Sequence, residues 1–234
     1  MPTYTLNLSI SAQDLETIAA AGENIIVAKP VTNASGTPNV AWLSVPPLEN
    51  NQITWVEDYA IYASTTEIAS GAAIFQSSVT SFPAEDGVCY DFATSGAFGG
   101  PVTGPQPVPL GSFSTLNDFT SRSAMTFGLT QSANANGGLI SLSPLNAQSV
   151  PEQQQAVFTP LTTVWVWLEA NVRSATMITG VFSKVAVITF GGEVNTQGLT
   201  YAAAQGQFEP DDSSADVKLL DFRKYLPKSA RAGR

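Results

Sequence analysis

Apolar and polar residues alternate with period two from Tyr4 to Ile10, which predicts a strand with Tyr4, Leu6, Leu8 and Ile10 on one face. The period then changes. Ser11 is a natural N-cap with Asp14 three residues on, Leu15, Ile18 and Ala19 form an apolar stripe, and Gly22 closes the segment, so a short helix is expected from about residue 12 to 21. Asn24–Lys29 follows as a β-branched-rich strand.

From there the chain reads as strand after strand: Val40–Val45, Ile53–Ala63, Ala73–Val79, Val88–Phe92, Ala124–Thr130, Leu139–Leu142, Val157–Phe158, Val164–Leu168, Met177–Phe190 and Leu199–Ala203. Gly, Pro, Asn and Ser punctuate the gaps at the spacing of an antiparallel sandwich or barrel. A doubly wound α/β fold needs several helices between its strands, and only one is visible. The expected fold is therefore all-β, an antiparallel β-sandwich (or barrel) with one short N-terminal helix. Its body spans residues 1–208; residues 209–216 read as an acidic linker and 218–234 as a basic tail. The Gly- and Pro-rich stretch 99–111 is expected to be a long surface loop, because its prolines lack amide donors and its glycines resist ordering.

Composition narrows this further. The chain has 234 residues, 44% apolar and only 12% charged, a balance that belongs to folded chains and not to disordered ones. No apolar run is long enough for a membrane helix. The opening residues carry no secretory signal pattern, which points to a cytoplasmic protein. Cys89 is the single cysteine, so no intrachain disulfide and no multi-thiolate metal site can form.

Charge is unevenly placed. Residues 1–217 carry four basic side chains (Lys29, Arg122, Arg173, Lys184) against eighteen acidic ones, whereas 218–234 carry six basic against one acidic. An acidic body repels nucleic acid phosphates, so nucleic acid is not an expected partner. The basic tail has two readings, an arm that reaches a second subunit or an anionic surface, and a terminal segment that packs on its own acidic body.

The absence of histidine removes a large part of enzyme chemistry. Ser-His-Asp and Cys-His catalysis and His-ligated zinc, iron or copper sites are all ruled out. No Gly-rich phosphate-binding motif occurs, so no nucleotide cofactor is expected. Carboxylates remain, among them Glu57, Asp58, Glu85, Asp86 and Asp91, without a spacing that singles out a hydrolytic pair. Ser183 and Lys184 are adjacent and would point to opposite faces of a strand. Cys89 lacks a neighbouring base and reads as a core thiol. The cluster Glu209, Asp211, Asp212 and Asp216 does not match a calcium loop and reads as a solvated linker.

The aromatic residues remain as the best functional cue. In Ile53–Tyr62, period two places Trp55, Glu57, Tyr59 and Ile61 on one face, and rings beside an acid suit sugars, flat molecules or cations. A half-solvated outer face accounts for the same pattern. Trp165 and Trp167, in an apolar run, read as core. In composition the chain resembles β-sandwich lectins and membrane-targeting cytolysins, a resemblance that carries no residue assignment. The expected function is a non-enzymatic sandwich that holds a small molecule or glycan non-covalently, with Trp55, Tyr59 and Tyr62 as stacking groups and Glu57 or Asp58 as anchors. The alternatives are a membrane-acting or self-assembling sandwich, with a homo-oligomer formed through the 218–234 tail, and a carboxylate-dependent glycoside hydrolase.

Overall fold

A computed structural model describes residues 3–32, 37–178, 183–212 and 214–221. The first half runs β1 (Thr3–Ser9), α1 (Ala12–Ala20), β2 (Glu23–Ala28), β3 (Val40–Ala41), β4 (Leu43–Val45), β5 (Asn50–Val56), β6 (Ala60–Ser64), β7 (Gln76–Val79), β8 (Cys89–Phe92), β9 (Phe98–Val102) and β10 (Phe113–Asn117). The second runs β11 (Ala124–Ala135), β12 (Gly138–Pro144), β13 (Gln148–Pro151), β14 (Gln155–Phe158), β15 (Thr163–Ala170), β16 (Thr176–Met177), β17 (Lys184–Thr189), β18 (Thr196–Ala202), β19 (Gln207–Pro210) and β20 (Val217–Asp221). Strands make up 53% and helix 4%, which excludes the α/β alternative and establishes the all-β sandwich with one short helix.

Helix α1 begins as the residue types dictate. Ser11 sits in an extended conformation, its Oγ accepts the Asp14 amide and donates to the Asp14 carboxylate, and Ile18 is the residue the helix buries.

The largest sheet has the order β19-β18-β1-β5-β11-β6-β7, with β12 and β13 also on β11. A second sheet runs β20-β17-β15-β2-β4, a third β14-β10-β8-β9, and β16 pairs with β3. Most pairings are antiparallel, but β1 runs parallel to β18 and β10 to β8. The main core lies where the faces meet: Leu6, Ile53, Phe127 and Leu129 from the first sheet, Ile25, Val27, Val164 and Val166 from the second, and Phe92, Phe113 and Phe158 from the third.

Strands β2 and β15 are buried on both faces. Their alternate residues Ile26, Ala28, Trp165 and Trp167 form a separate cluster with Val185 and Val187. Trp165 and Trp167 are therefore core residues, as their apolar run implies.

Three sequence expectations need correction. Residues 53–63 do not form one strand, because the chain leaves the ladder at 57–59 between β5 and β6. The Gly/Pro segment is not wholly loop, since β9 pairs with β8 through Val102 and Pro101, an edge position where a missing proline donor is harmless. The linker reading of 209–216 holds only in part, because β19 extends to Pro210 and pairs with β18. Of the tail, Val217–Asp221 forms β20 and pairs in register with β17 of the same chain, while residues 222–234, with most of its basic side chains, lie outside the described residues.

Candidate functional site

Strand parity explains how a lysine comes to sit in the core. Ile25 and Val27 face the main core and Ile26 and Ala28 the second cluster, so the next residue, Lys29, points inward just before Pro30 ends the strand. The same count along β11, from Phe127 and Leu129, turns Gln131 inward, and along β5, from Ile53 and Trp55, it turns Glu57 inward. Three polar side chains from three strands thus meet between the sheets.

The break at 57–59 makes room for them. Strands β5 and β6 both pair with β11, Trp55 opposite Ala133 and Ala60 opposite Thr130, so two more residues separate the pairs on the β5–β6 side than on β11. This irregularity removes ladder hydrogen bonds. Gln131 replaces one: its Nε2 donates to the Val56 carbonyl at 2.7 Å.

Lys29 is fully buried, and its ammonium has three acceptors for its three protons. They are Glu57 Oε1 at 2.8 Å, Gln131 Oε1 at 2.9 Å and the Tyr59 hydroxyl at 3.4 Å. Trp42, Trp55 and Tyr59 hold their rings 5.4 to 5.5 Å from the nitrogen, within the range of cation–π attraction. Glu57 is saturated in turn, because Oε1 also accepts Trp55 Nε1 at 2.7 Å and Oε2 accepts the Tyr59 hydroxyl. Around this centre, Trp42 Nε1 donates to the Gln131 carbonyl at 3.1 Å and Ser143 Oγ to the Trp42 carbonyl at 2.6 Å. Among the described residues Lys29–Glu57 is the one salt bridge, with the Glu57 side chain 17% exposed and that of Lys29 1%.

Burial pulls the Lys29 ammonium below the ordinary lysine range, against the opposing pull of Glu57. Burial also pushes the Tyr59 hydroxyl well above the usual tyrosine value, with Glu57 adding to the rise.

The expected binding residues are distributed over three environments. Trp55 is 3% exposed and packs against Tyr4, Trp42 and Phe190 at 5.0 to 5.8 Å between ring centroids. Tyr59 is equally buried and leans on Phe113. The outer-face reading of Trp55, Glu57 and Tyr59 is thus overturned, since the face they share is the core face. Tyr62 belongs to a different cluster with Val40, Ile74, Ala147 and Met177, and its hydroxyl donates to the Asn146 carbonyl. Asp58 is half-buried and lines a shallow cleft.

That cleft, about 280 Å³, is bordered by Trp55, Val56, Asp58, Phe82, Ser132, Asn134 and Leu139. Phe82 is 46% exposed and Leu139 73%. Two other clefts are larger and contain none of the expected ligand-binding residues. One of about 410 Å³ is walled by Thr66, Glu67, Arg122 and Thr126, and one of about 430 Å³ lies between Cys89 and residues 102–108 of the Gly/Pro segment.

Other candidates resolve simply. Cys89 is buried beside Ser114, and burial raises its thiol. Lys184 donates to the Gln205 carbonyl. No group of acidic, cysteine or histidine side chains among the described residues is arranged to hold a metal. Asp91 keeps a buried Oδ1 without a partner, and burial together with the neighbouring Asp118 raises its carboxyl. No helix among the described residues is long and apolar enough to cross a membrane.

Sequence reasoning counted Lys29 only as one of the body's few cations and gave Gln131 no role. The available signal was strand parity: a lysine two positions beyond Val27 and a glutamine two beyond Leu129 fall on the core face. No family model, curated protein or solved structure matches this chain.

Proposed function

We propose that the chain is a non-catalytic binding sandwich whose ligand, a small molecule or a single sugar unit, lies in the cleft between Asp58, Phe82 and Leu139. The observation that supports this is the composition of the cleft, an apolar floor with one carboxylate and two exposed apolar side chains, next to a rigid aromatic core. Small-ligand sites combine apolar walls with a few oriented polar groups. Phe82 supplies a face for stacking, Asp58 an acceptor for hydroxyl or ammonium groups, and Ser132 and Asn134 further polar contacts. Trp55 acts as the floor and Glu57 is engaged by Lys29, so anchoring falls to Asp58.

Titration with mono- and disaccharides and aromatic amines, followed by tryptophan fluorescence, tests this reading. A saturable change is expected for at least one class, weakened about tenfold or more in Asp58→Asn and Phe82→Ala, in line with the loss of one charged hydrogen bond or one stacked ring. Binding that is unchanged in both folded variants refutes the assignment.

A second reading, self-assembly, is favoured by a separate observation: Phe75 is 76% exposed and Leu110 88%, both on an acidic body that carries a basic tail. It calls for a sedimentation coefficient that rises with concentration and falls in Phe75→Ser or Leu110→Ser. A single monomer species at all concentrations eliminates it.

A further inference from the structure

The Lys29 amine and the Gln131 carboxamide are closed to any external substrate, with the Glu57 side chain 17% exposed beside them, so the chemistry open to them is chemistry among these side chains. Lys29, Trp42 and Gln131 are 0% exposed and Trp55 and Tyr59 only 3%. Within this enclosure a primary amine, a carboxamide and a carboxylate are in direct hydrogen-bond contact. Lys29 Nζ lies 2.9 Å from Gln131 Oε1 and 2.8 Å from Glu57 Oε1. The carboxamide is held in place at its other end by the Nε2 bond to the Val56 carbonyl.

From this arrangement we propose that Lys29 and Gln131 condense into an internal amide cross-link, with Glu57 carrying the protons. Glu57 takes a proton from the ammonium across their hydrogen bond and frees the amine lone pair. After rotation about its last side-chain bonds, Nζ adds to Gln131 Cδ. The Cδ–Nε2 bond then breaks as protonated Glu57 gives its proton to Nε2; of the two protons left on Nζ, one follows to the departing nitrogen through the same carboxylate and the other stays as the N–H of the new amide. The chain loses one ammonium ion, Glu57 returns to its carboxylate form, and no oxidant or co-reactant is consumed.

Three features favour the step. A buried cation is costly to keep, and the reaction removes it while releasing ammonium to bulk water. The reacting groups are already in van der Waals reach, so the entropy of bringing them together is met by folding. The aromatic enclosure by Trp42, Trp55 and Tyr59 excludes the water that would hydrolyse the adduct. The product would tie the end of β2 to β11, joining residues 102 apart in sequence and linking the two principal sheets covalently.

The purified full-length chain tests this without any variant. Its denatured intact mass is expected to be lower than the sequence mass by one ammonia, and proteolysis is expected to release a branched peptide joining Lys29 to Gln131. Glu57→Gln and Lys29→Met should each restore the full sequence mass. A wild-type chain at full mass overturns the proposal, as does an ammonia deficit that maps to Asn136–Gly137, where a succinimide forms with the same loss. A deficit of one water would make Glu57 the acyl partner and overturn the assignment to Gln131. Retention of the branched peptide in Glu57→Gln would overturn the role of Glu57.

Discussion

Gln131 Nε2 donates to the Val56 carbonyl at 2.7 Å at the point where β5 leaves the ladder on β11. One side chain thus serves two purposes: it satisfies a backbone group that the irregularity exposes, and its Oε1 turns to Lys29 at 2.9 Å. Gln131→Leu preserves the approximate volume but leaves the Val56 carbonyl and one Lys29 proton without partners. It is expected to lower stability by about 2 to 4 kcal/mol, the sum of two buried polar groups left unsatisfied, as read by denaturant unfolding. A loss below about 0.5 kcal/mol would show that water reaches the centre.

Gly128 sits where a β-carbon has no room. It pairs with Tyr62 across β11 and β6, and a β-carbon there would lie 2.0 Å from the Asn146 carbonyl oxygen and 2.8 Å from the Tyr62 ring. The Asn146 contact is backbone, and the same carbonyl accepts the Tyr62 hydroxyl. Gly128→Ala should therefore destabilise by about 3 kcal/mol or more, at or beyond the upper end of ordinary overpacking. Gly100 has open space around its α-carbon, and Gly100→Ala provides the comparison, with an expected change within about 0.5 kcal/mol.

Tyrosine ionisation should report the closed core. Burial raises the hydroxyls of Tyr59 and Tyr62, and more moderately those of Tyr4 and Tyr201, with Glu57 contributing at Tyr59 and Tyr4. The folded state therefore holds these protons above the unfolded tyrosine value of about 10. Their contribution to stability is fully present below that pH and is lost as pH rises through and beyond it. As a free amine, before any condensation with Gln131, Lys29 works in the opposite sense: its lowered folded value means that stability is gained as pH rises toward the unfolded lysine value. In an alkaline absorbance titration, Tyr59 and Tyr62 should ionise only together with cooperative unfolding. Titration of every tyrosine near pH 10, as in the denatured chain, would contradict the packing.

Cys89 should be inert to a thiol reagent in native buffer and react stoichiometrically in denaturant, because it is buried and its thiolate is disfavoured. Rapid native reaction would mean that residues 102–108, which flank it across the adjoining cleft, open readily.

Much of the fold was legible in the sequence because its signals are local. Period-two alternation located β1, β-branched residues located β2, an apolar run located β15 with Trp165 and Trp167 in its core, and Ser11 and Asp14 marked the helix start. Strand β10 was missed because Ser, Thr and Asn make up most of it, and β13 because Val150 is its one branched apolar residue; buried Ser114 and Asn117 donate to the Ala156 and Val150 carbonyls while Thr115 Oγ1 is buried without a partner, and no window of sequence shows this.

The candidate site was half legible. Alternation correctly grouped Trp55, Glu57 and Tyr59, but the side of the sheet they face depends on what lies opposite. That is a lysine 28 residues upstream of Glu57 and a glutamine on β11, a coincidence of parity among three strands that no single strand reveals. Asp58 was named as an anchor beside Glu57, and strand parity separates the two: Glu57 follows Ile53 and Trp55 toward the core, and Asp58 lines the cleft with Thr54 and Val56.

Lys29 and Glu57 act as one unit in the core, and a double-mutant cycle reads their coupling. Lys29→Met, Glu57→Gln and the double variant would be compared with the wild type by denaturant unfolding. Removing either partner alone should cost about 3 to 5 kcal/mol, with much of that loss recovered when the second is removed, leaving an interaction energy of at least about 1.5 kcal/mol. Strictly additive losses, with an interaction energy near zero, would mean that the two side chains are not coupled.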